Sequence, residues 1–268
     1  MTRLKKLLYL NSYLLNENPE NNALAEQFSN SEEDQSRLFR SLINLRPPML
    51  LKQDFLEVQD SLLSEDAKTK GIVSFSEIRN TRRTKEKDSV FSRMYLWQGD
   101  ITRLAVDAIV NAANSSLLGC FIPCHPCIDN VIHSAAGLQL RDACNKIIKA
   151  QGHEEATGTA KITRGYNLPA KYVLHTVGPI VTNELTPELC EDLKNSYRSC
   201  LDLAKQKNLH SVAFCCVSTG VFHFPNDKAA KIAVDTVRDF LATQDSQLEV
   251  IFNVFKDIDY KIYKDILG

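Results

Sequence analysis

At 268 residues the chain is longer than one average domain and shorter than two large ones. Hydrophobic residues make up 44% of it and charged residues 24%, proportions that are typical of a globular protein and exclude collagen-like, low-complexity and wholly disordered chains. The 32 Lys and Arg residues nearly balance the 33 Asp and Glu residues, for a net charge of -1, and neither half carries an excess. We therefore predict no nucleic-acid partner of the kind that is bound through phosphate neutralisation.

The amino-terminal residues have some features of a secretory signal peptide. Basic residues at positions 3, 5 and 6 precede an apolar run over residues 7–15. However, Asn11 and Ser12 interrupt that run, and no stretch of the chain approaches the roughly 18 consecutive apolar residues of a membrane span. We predict a cytoplasmic protein without a membrane partner.

The chain up to position 88 is predicted to be a helical extension. Its apolar residues recur at helical spacing, as Leu38 and Leu42 do. Ser31 before an acidic run favours a capped helix start, and Pro47 favours the end of that helix just before it.

Residues 79–88 form a polar, mostly basic run, which we interpret as a linker or exposed loop. The predicted domains are therefore the helical extension over residues 1–88 and a second domain over residues 89–268.

After position 89, short apolar strands alternate with helices, which is the pattern of a three-layer α/β domain. The predicted strands cover residues 93–97, 108–111, 161–163, 172–177, 212–217 and 250–254. A single helix is predicted after the second strand, because apolar residues form one stripe from Val131 to Ile148. Ligands of such a domain bind at the carboxyl ends of its strands, so the loops at 99–101, 111–129 and 218–225 are the candidate site loops.

The segment between positions 119 and 130 is the most informative part of the sequence. Three of the eight cysteines fall between positions 120 and 127, and such clustering favours a metal site in a reducing compartment over a disulfide framework. Cys120, His125 and Cys127 offer two thiolates and one imidazole, which are zinc ligands, and they leave the fourth tetrahedral position open, as in catalytic sites. We predict one Zn²⁺ per chain.

Two other interpretations of this segment stay open at this point. The site could be a closed structural one, completed by Cys124 or by a distant residue. The spacing of Cys120, Cys124 and Cys127 is also that of the iron–sulfur cluster in radical enzymes that use S-adenosylmethionine. The second alternative is disfavoured, because the sequence that follows is too short for a full barrel.

Residues 218–225 follow an apolar strand and precede a predicted helix start near Asn226. Glycine and small residues let backbone N–H groups turn towards an anion, and the positive end of the helix lies close by, so the loop is a candidate diphosphate site. We interpret His223 in this loop as a surface or packing residue.

Several motifs in fixed order resemble the macrodomain family over about residues 90 to 268. They are GDIT at 99–102, VDAIVNAANS at 106–115, IHSAAG at 132–137, GTAKIT at 158–163, GYNLPA at 165–170, VLHTVGP at 173–179 and STGV at 218–221. Members of the hydrolytic MacroD branch carry a glycine-rich loop before a Val-Asp pair, whereas this chain has Cys120 to Cys127 before Ile128 and Asp129. That departure resembles the zinc-dependent macrodomains, which also carry a helical amino-terminal extension.

The resemblance implies an α/β/α fold with a mixed central sheet and an ADP-ribose pocket. By position, Asp100 would accept a hydrogen bond from the adenine amino group, Ile101 would line that pocket and Phe255 would lie against the ring. Asn111 and Asn114 would contact the distal ribose. The backbone N–H groups that would wrap the diphosphate are those of Ser218, Thr219, Gly220, Val221 and Phe222.

The implied activity is a hydrolase that removes mono-ADP-ribose from modified protein side chains, with the carboxylate–ribosyl bond as the favoured target. Asp129 and Asn114 would be the catalytic residues, and zinc would either generate hydroxide or hold and polarise a ribose oxygen. The implied partners are ADP-ribose and a mono-ADP-ribosylated protein, for which a lipoyl-carrier protein is one candidate. The alternative is a reader that binds ADP-ribose without cleaving it, with zinc fixing the loop.

Overall fold

The computed structural model describes residues 1–81, 90–243 and 247–268. The linker predicted over 79–88 lies mostly outside these ranges, and its first three residues belong to a helix. None of the helices in the described ranges is both long enough and apolar enough to cross a membrane.

The chain opens with a bundle of helices, as the sequence predicts. They are α1 (Arg3–Glu17), α2 (Asn22–Ala25), α3 (Glu32–Leu45) and α4 (Gln53–Lys70). Helix α3 begins and ends as predicted, because Ser31 accepts a hydrogen bond from the backbone N–H of Asp34 and the helix stops at Arg46. The bundle has an apolar core of its own, which includes Leu7, Leu10, Leu14, Leu38, Phe39, Leu42, Ile43, Phe55, Leu62 and Leu63.

A mixed sheet forms the centre of the larger region, which confirms the predicted fold class. In chain order the strands are β1 (Val73–Ser74), β2 (Met94–Gln98), β3 (Leu104–Ala105), β4 (Ala108–Ala113), β5 (Ala160–Arg164), β6 (Tyr172–Val177), β7 (Ser211–Phe214) and β8 (Glu249–Val254). The order across the main sheet is β2-β8-β7-β4-β6-β5. Strand β5 is antiparallel to β6, and the other neighbours are parallel. Strands β1 and β3 form a separate parallel pair.

Two groups of helices flank the main sheet. The remaining helices are α5 (Phe75–Thr81), α6 (Ile128–Ala136), α7 (Leu138–Gln151), α8 (Pro187–Gln206), α9 (Asn226–Thr243) and α10 (Asp257–Leu267). Helix α9 contacts both α8 and α10, while α6 and α7 contact each other and pack against β4 and β5. Fully buried side chains of the strands, among them Val110, Leu174, Val212 and Ile251, fill the core between these layers.

The single helix predicted from Val131 to Ile148 is wrong, because Gly137 divides it into α6 and α7. Gly137 has φ 92° and ψ 174°, which is outside the helical region. The apolar stripe continues across the break, since both helices pack on the same sheet, so periodicity alone did not reveal it.

The helical bundle docks on the larger region through the start of α7. Leu138 belongs to the apolar core of the bundle, and its backbone N–H donates to Gln59 Oε1 of α4 at 3.1 Å. Helix α5 packs differently, because Ile78 is buried in the main core. The predicted domain boundary between positions 88 and 89 lies outside the described residues and stays a prediction.

Arg141 of α7 provides a second attachment. Its guanidinium donates to the backbone oxygens of Ile43, Asn44 and Arg46, at the carboxyl end of α3. Those oxygens have no partner within the helix and carry the negative end of its dipole, so a buried cation stabilises them.

Candidate active site

The predicted ligand-binding residues follow four neighbouring strands. Asp100 comes after β2, Phe255 after β8, the loop at 218–222 after β7, and Asn114 after β4. These strands are parallel and adjacent, so their carboxyl ends meet at one edge of the sheet. Three inter-strand spacings of about 4.8 Å make this row roughly 14 Å long. The edge therefore suits an extended ligand.

The β2 end of the row is built around Asp100. Its Oδ1 accepts hydrogen bonds from the backbone N–H and hydroxyl of Thr102 at 3.0 and 2.6 Å, which starts a short 3-10 turn. Its Oδ2 lies 3.7 Å from Nζ of Lys70 in α4. Ile101 is buried beside it, whereas Phe255 is 75% exposed. One carboxylate oxygen and one exposed ring are thus available at this end.

The loop of residues 218–222 supplies consecutive backbone donors. Within the part of the chain that the structure describes, none of its backbone N–H groups donates a hydrogen bond. Ser218 has φ 65°, a strained conformation for a residue with a side chain, and its buried hydroxyl has no partner among the described residues. A Cβ at Gly178 would lie 2.1 Å from that hydroxyl, so the close approach of the two loops requires glycine. Such a turn presents donors to an anion.

Other groups of this loop form hydrogen bonds within the protein or are exposed to solvent. The carbonyl oxygen of Phe222 accepts a hydrogen bond from Val181 N at 2.9 Å, which joins the loops after β6 and β7. Thr219 turns its hydroxyl to the backbone oxygen of Cys216, Val221 is exposed, and so is His223, as the sequence analysis interpreted it.

Asp129 is the centre of the β4 end of the row. It lies in the first turn of α6, where a carboxylate is favoured by the helix dipole. Its oxygens accept hydrogen bonds from Asn111 Nδ2 at 2.8 Å and from Asn114 Nδ2 at 3.5 Å. Asn111 is fully buried against the carboxylate, whereas Asn114 is partly exposed, and the contact of both with the distal ribose stays a prediction.

The surroundings of Asp129 tune its acidity. Burial raises the pKa of Asp129 from 3.8 to about 6, although the hydrogen bond from Asn111 and the charge of Arg141 act in the opposite direction. The group is therefore mostly ionised at neutral pH and can accept a proton with little cost, which suits a general base.

The predicted zinc ligands lie together just before Asp129. Cys120, His125 and Cys127 are partly buried, and their ligand atoms all lie within 4.8 Å of one another; we name these residues the loop cluster. Cys127 also caps α6, since its Sγ accepts from Asn130 N at 3.5 Å. Burial, together with the neighbouring Cys120, raises the pKa of Cys127 to about 11. A metal ion would stabilise the thiolate that this setting disfavours.

Cys124 does not belong to the loop cluster. Its Sγ lies 3.3 Å from the hydroxyl of Ser41 and 3.6 Å from the backbone oxygen of Arg37, both in α3. The arrangement of the side chains therefore does not support an iron–sulfur cluster, nor a zinc site that is closed by Cys124.

A second group of ligand-type side chains lies behind Asp129. His133, Cys144 and His175, which we name the core cluster, are fully buried, and their ligand atoms also lie within 4.8 Å of one another. His133 and His175 stand in the motifs at 132–137 and 173–179, but sequence reasoning gave them no role, since they are far apart in the chain.

Within the core cluster, His175 is occupied by hydrogen bonds, whereas the ring nitrogens of His133 have no hydrogen-bond partner among the described residues. The two ring nitrogens of His175 contact Asn111 Nδ2 at 3.2 Å and Thr163 Oγ1 at 2.9 Å. Burial lowers the pKa of His175 to about 3 and that of His133 well below its ordinary value, so both rings are neutral. This cluster holds Asn111, and through it Asp129, in place.

A cavity of about 210 Å³ lies between the helical bundle and α6. Arg3, Phe39, Arg40 and Ser134 are among the residues that line it. None of the residues predicted to bind ADP-ribose lines this cavity, which is therefore distinct from the candidate active site.

Fold and site together define an α/β domain with candidate ligand residues along the carboxyl edge of a mixed sheet. A family model for the Macro domain matches residues 110–233. The protein-ADP-ribose hydrolase of Treponema medium is 49% identical over 268 residues, which is 100% of both chains. The chain belongs to the macrodomain family.

Two further comparisons agree with that membership. The ADP-ribose glycohydrolase MACROD2 of Homo sapiens is 43% identical over 234 residues, 87% of this chain and 52% of that protein. The structure of the Trypanosoma brucei macrodomain in complex with ADP-ribose has a TM-score of 0.66 and 32% identity, and covers 85% of this chain and 95% of that one.

Proposed function

We propose that the protein hydrolyses the bond between mono-ADP-ribose and a modified protein side chain, and that the carboxylate–ribosyl bond is its target. One observation carries this proposal: a buried carboxylate, Asp129, is held between two asparagine amides, two residues after a potential metal ligand. The names of relatives that are 43% and 49% identical, an ADP-ribose glycohydrolase and a protein-ADP-ribose hydrolase, support the same activity.

We assign the binding of ADP-ribose to the carboxyl edge of the sheet. Asp100 Oδ2 would accept from the adenine amino group, beside Ile101 and the exposed ring of Phe255. The unpaired N–H groups of residues 218–222 would donate to the diphosphate oxygens. With the adenine and the diphosphate bound in this way, the distal ribose would lie near Asn114 and Asp129.

We assign a zinc ion to the loop cluster. Two thiols and one imidazole with ligand atoms within 4.8 Å match the donor set of zinc, and three protein ligands leave a fourth position for water or substrate. When bound, zinc would supply a Lewis-acid centre at the ribose end of the site.

The residues of the chain would act on the ribose as follows. Asn111 orients the carboxylate of Asp129 from behind, through the hydrogen bond of 2.8 Å. Asp129 would then accept a proton from the water that attacks the ribose carbon of the carboxylate–ribosyl bond, and the carboxylate of the modified side chain would leave with the electron pair of that bond. A pKa of about 6 leaves Asp129 mostly ionised but basic. The amide of Asn114, which is partly exposed, contacts a ribose hydroxyl.

We further propose that the protein acts in the cytoplasm. All eight of its cysteines are free thiols, which is the state expected in a reducing compartment. A mono-ADP-ribosylated protein would be the substrate, and a modified lipoyl-carrier protein, which the resemblance suggests, is one carrier to test.

The test is incubation of the purified protein with a carboxylate-linked mono-ADP-ribosylated protein, before and after zinc removal by a chelator. We expect ADP-ribose to be released, the release to stop after chelation, and zinc addition to restore it. Binding of free ADP-ribose without any release would identify a reader. Full release by protein shown to be free of zinc would make the metal structural.

A further inference from the structure

The segment that carries the loop cluster has no regular secondary structure, so its conformation depends on contacts from outside. Residues 119–127, which we name the Cys/His loop, run between β4 and α6. Helix α3 of the bundle lies against this loop. The backbone N–H of Cys124 donates to Asn44 Oδ1 at 2.9 Å, and Arg40 Nη2 donates to the backbone oxygen of His125 at 3.0 Å.

Asn130 extends these contacts to the rest of the loop. Its fully buried Nδ2 donates to the backbone oxygens of Ile122 at 3.0 Å and Cys120 at 3.4 Å. Its Oδ1 accepts from Arg40 Nε at 3.3 Å and Nη2 at 2.9 Å. One guanidinium therefore bonds the backbone of His125 directly and orients the amide that holds the backbone of Cys120.

From this geometry we infer that α3 is a clamp for the Cys/His loop, with Arg40 as the positioning residue that keeps His125 and Cys120 in register for a metal ion. The inference rests on the proposed zinc site. A loop that is already held in its binding conformation loses less conformational entropy when it takes up the ion, so the complex is tighter and dissociates more slowly. The clamp gives the amino-terminal bundle a role that composition and periodicity did not reveal.

The clamp itself is fixed independently of Arg40. Asn44 Nδ2 donates to Ser134 Oγ of α6 at 2.9 Å, and Arg141 binds the carboxyl end of α3. Removing the Arg40 side chain should thus leave α3 docked and the chain folded, while it frees the loop.

The test measures zinc release from the full, zinc-loaded chain into an excess of a chromogenic chelator, for wild type, Arg40→Ala and Arg40→Lys. We expect Arg40→Ala to release zinc about tenfold faster, the lower end of the range for groups that orient metal ligands. Arg40→Lys should fall between the two, because one ammonium group cannot span both acceptors in the planar geometry of a guanidinium. Affinity for free ADP-ribose should be unchanged.

Arg37→Ala is the matched control. Arg37 is one turn earlier on α3, its side chain is 64% exposed and paired with Asp34, and its loss removes the same charge. Zinc release from this variant should equal that of wild type. The visible spectrum of cobalt-substituted protein should change in Arg40→Ala and not in Arg37→Ala, because that spectrum reports the arrangement of the thiolate ligands.

The outcomes separate this inference from the proposed function. If wild type holds zinc and both Arg40→Ala and Arg40→Lys release it at the wild-type rate, the clamp is overturned and the zinc site stands. A wild type whose zinc content equals that of Cys127→Ala would overturn both. Should Arg40→Ala unfold, Arg40→Lys decides alone, and a release rate equal to that of wild type counts against the clamp.

Discussion

The loop cluster and the core cluster contain the same kinds of ligand atoms, at similar mutual distances, but in different surroundings. The loop cluster is partly exposed and contains two thiols near the edge of the sheet. The core cluster is wholly buried, and burial raises the pKa of its one thiol, Cys144, far above the ordinary value. To enter the core cluster, an ion would have to reach a wholly buried site and displace the hydrogen bonds of His175.

This comparison shows that proximity of histidine and cysteine does not by itself make a metal site. Ring nitrogens that already bond Asn111 and Thr163 stabilise the fold as neutral hydrogen-bonding groups. Ligand atoms on a loop, held through their backbone, remain available to an ion. We therefore expect substitutions in the loop cluster to change zinc content and turnover, and substitutions in the core cluster to change stability.

The largest expected effect is that of Cys127→Ala. Zinc content should fall from about one per chain to nearly none, and single-turnover release of ADP-ribose should slow on the order of a thousandfold, because several kcal/mol of transition-state stabilisation are lost. Cys144→Ala is the matched control in the core cluster. It should keep its zinc and its turnover, at a stability cost of about 1 to 2 kcal/mol. Loss of zinc from Cys144→Ala, measured by elemental analysis, would reverse the assignment of the two clusters.

Asp129 connects the two clusters, because it follows Cys127 by two positions and lies 3.4 Å from His133 Nε2. We expect Asp129→Asn to retain zinc and to lower turnover at least about a hundredfold, since a positioned general base is lost. Affinity for free ADP-ribose should change far less, which is the mark of an interaction used in the transition state. If zinc-loaded Asp129→Asn releases ADP-ribose at the wild-type rate in a single turnover, the reaction does not need Asp129 as a general base, and the metal and the ribose contacts are enough for it.

The core cluster should make the fold sensitive to acid. The unfolded chain protonates His175 near its ordinary pKa of 6.5, and the folded protein only near a pKa of about 3, so the free energy of unfolding falls as pH drops through this window. Between about pH 7 and pH 5 wild type should lose about 2 kcal/mol more than His175→Gln. The raised pKa of Asp129 increases the free energy of unfolding as pH falls, which opposes the effect of His175. Asp129 is present in both proteins, so its contribution does not enter the difference between them.

Urea unfolding of wild type and His175→Gln at the two pH values measures this difference. If wild type and His175→Gln lose the same stability, the acid sensitivity arises elsewhere and the core cluster is not its source.

The smallest effect should be that of Cys124→Ala. Its thiol contacts Ser41 and a backbone oxygen of α3 but does not join the loop cluster, so zinc content and turnover should equal those of wild type. The change in stability should stay within about 0.5 to 1 kcal/mol. A Cys124→Ala protein without zinc would make this thiol a fourth ligand and favour a closed, structural site.

Local signals in the sequence were enough for the six strands of the main sheet and for parts of the site, but not for the short strands β1 and β3. Strand β6 has its predicted bounds, and Ser31 caps α3 as its residue type suggested. The loop cluster could be predicted because its members lie within eight positions. The contacts of Arg40 with His125 and Asn130 join residues 85 and 90 positions apart, and no local pattern reports such pairs. The break at Gly137 was missed for a related reason. Helices α6 and α7 pack on the same sheet, so their apolar residues form one continuous stripe in the sequence.

The hold of Arg141 on the end of α3 has a consequence for synthesis. The accepting oxygens of Ile43 and Arg46 precede their donor by 98 and 95 residues. At about 5 to 20 residues per second, a ribosome needs roughly 5 to 20 seconds to add that length. During this interval the apolar surface that will bury Leu138 stays open to chaperones and proteases. The first helices to be translated are thus among the last parts of the molecule to be completed.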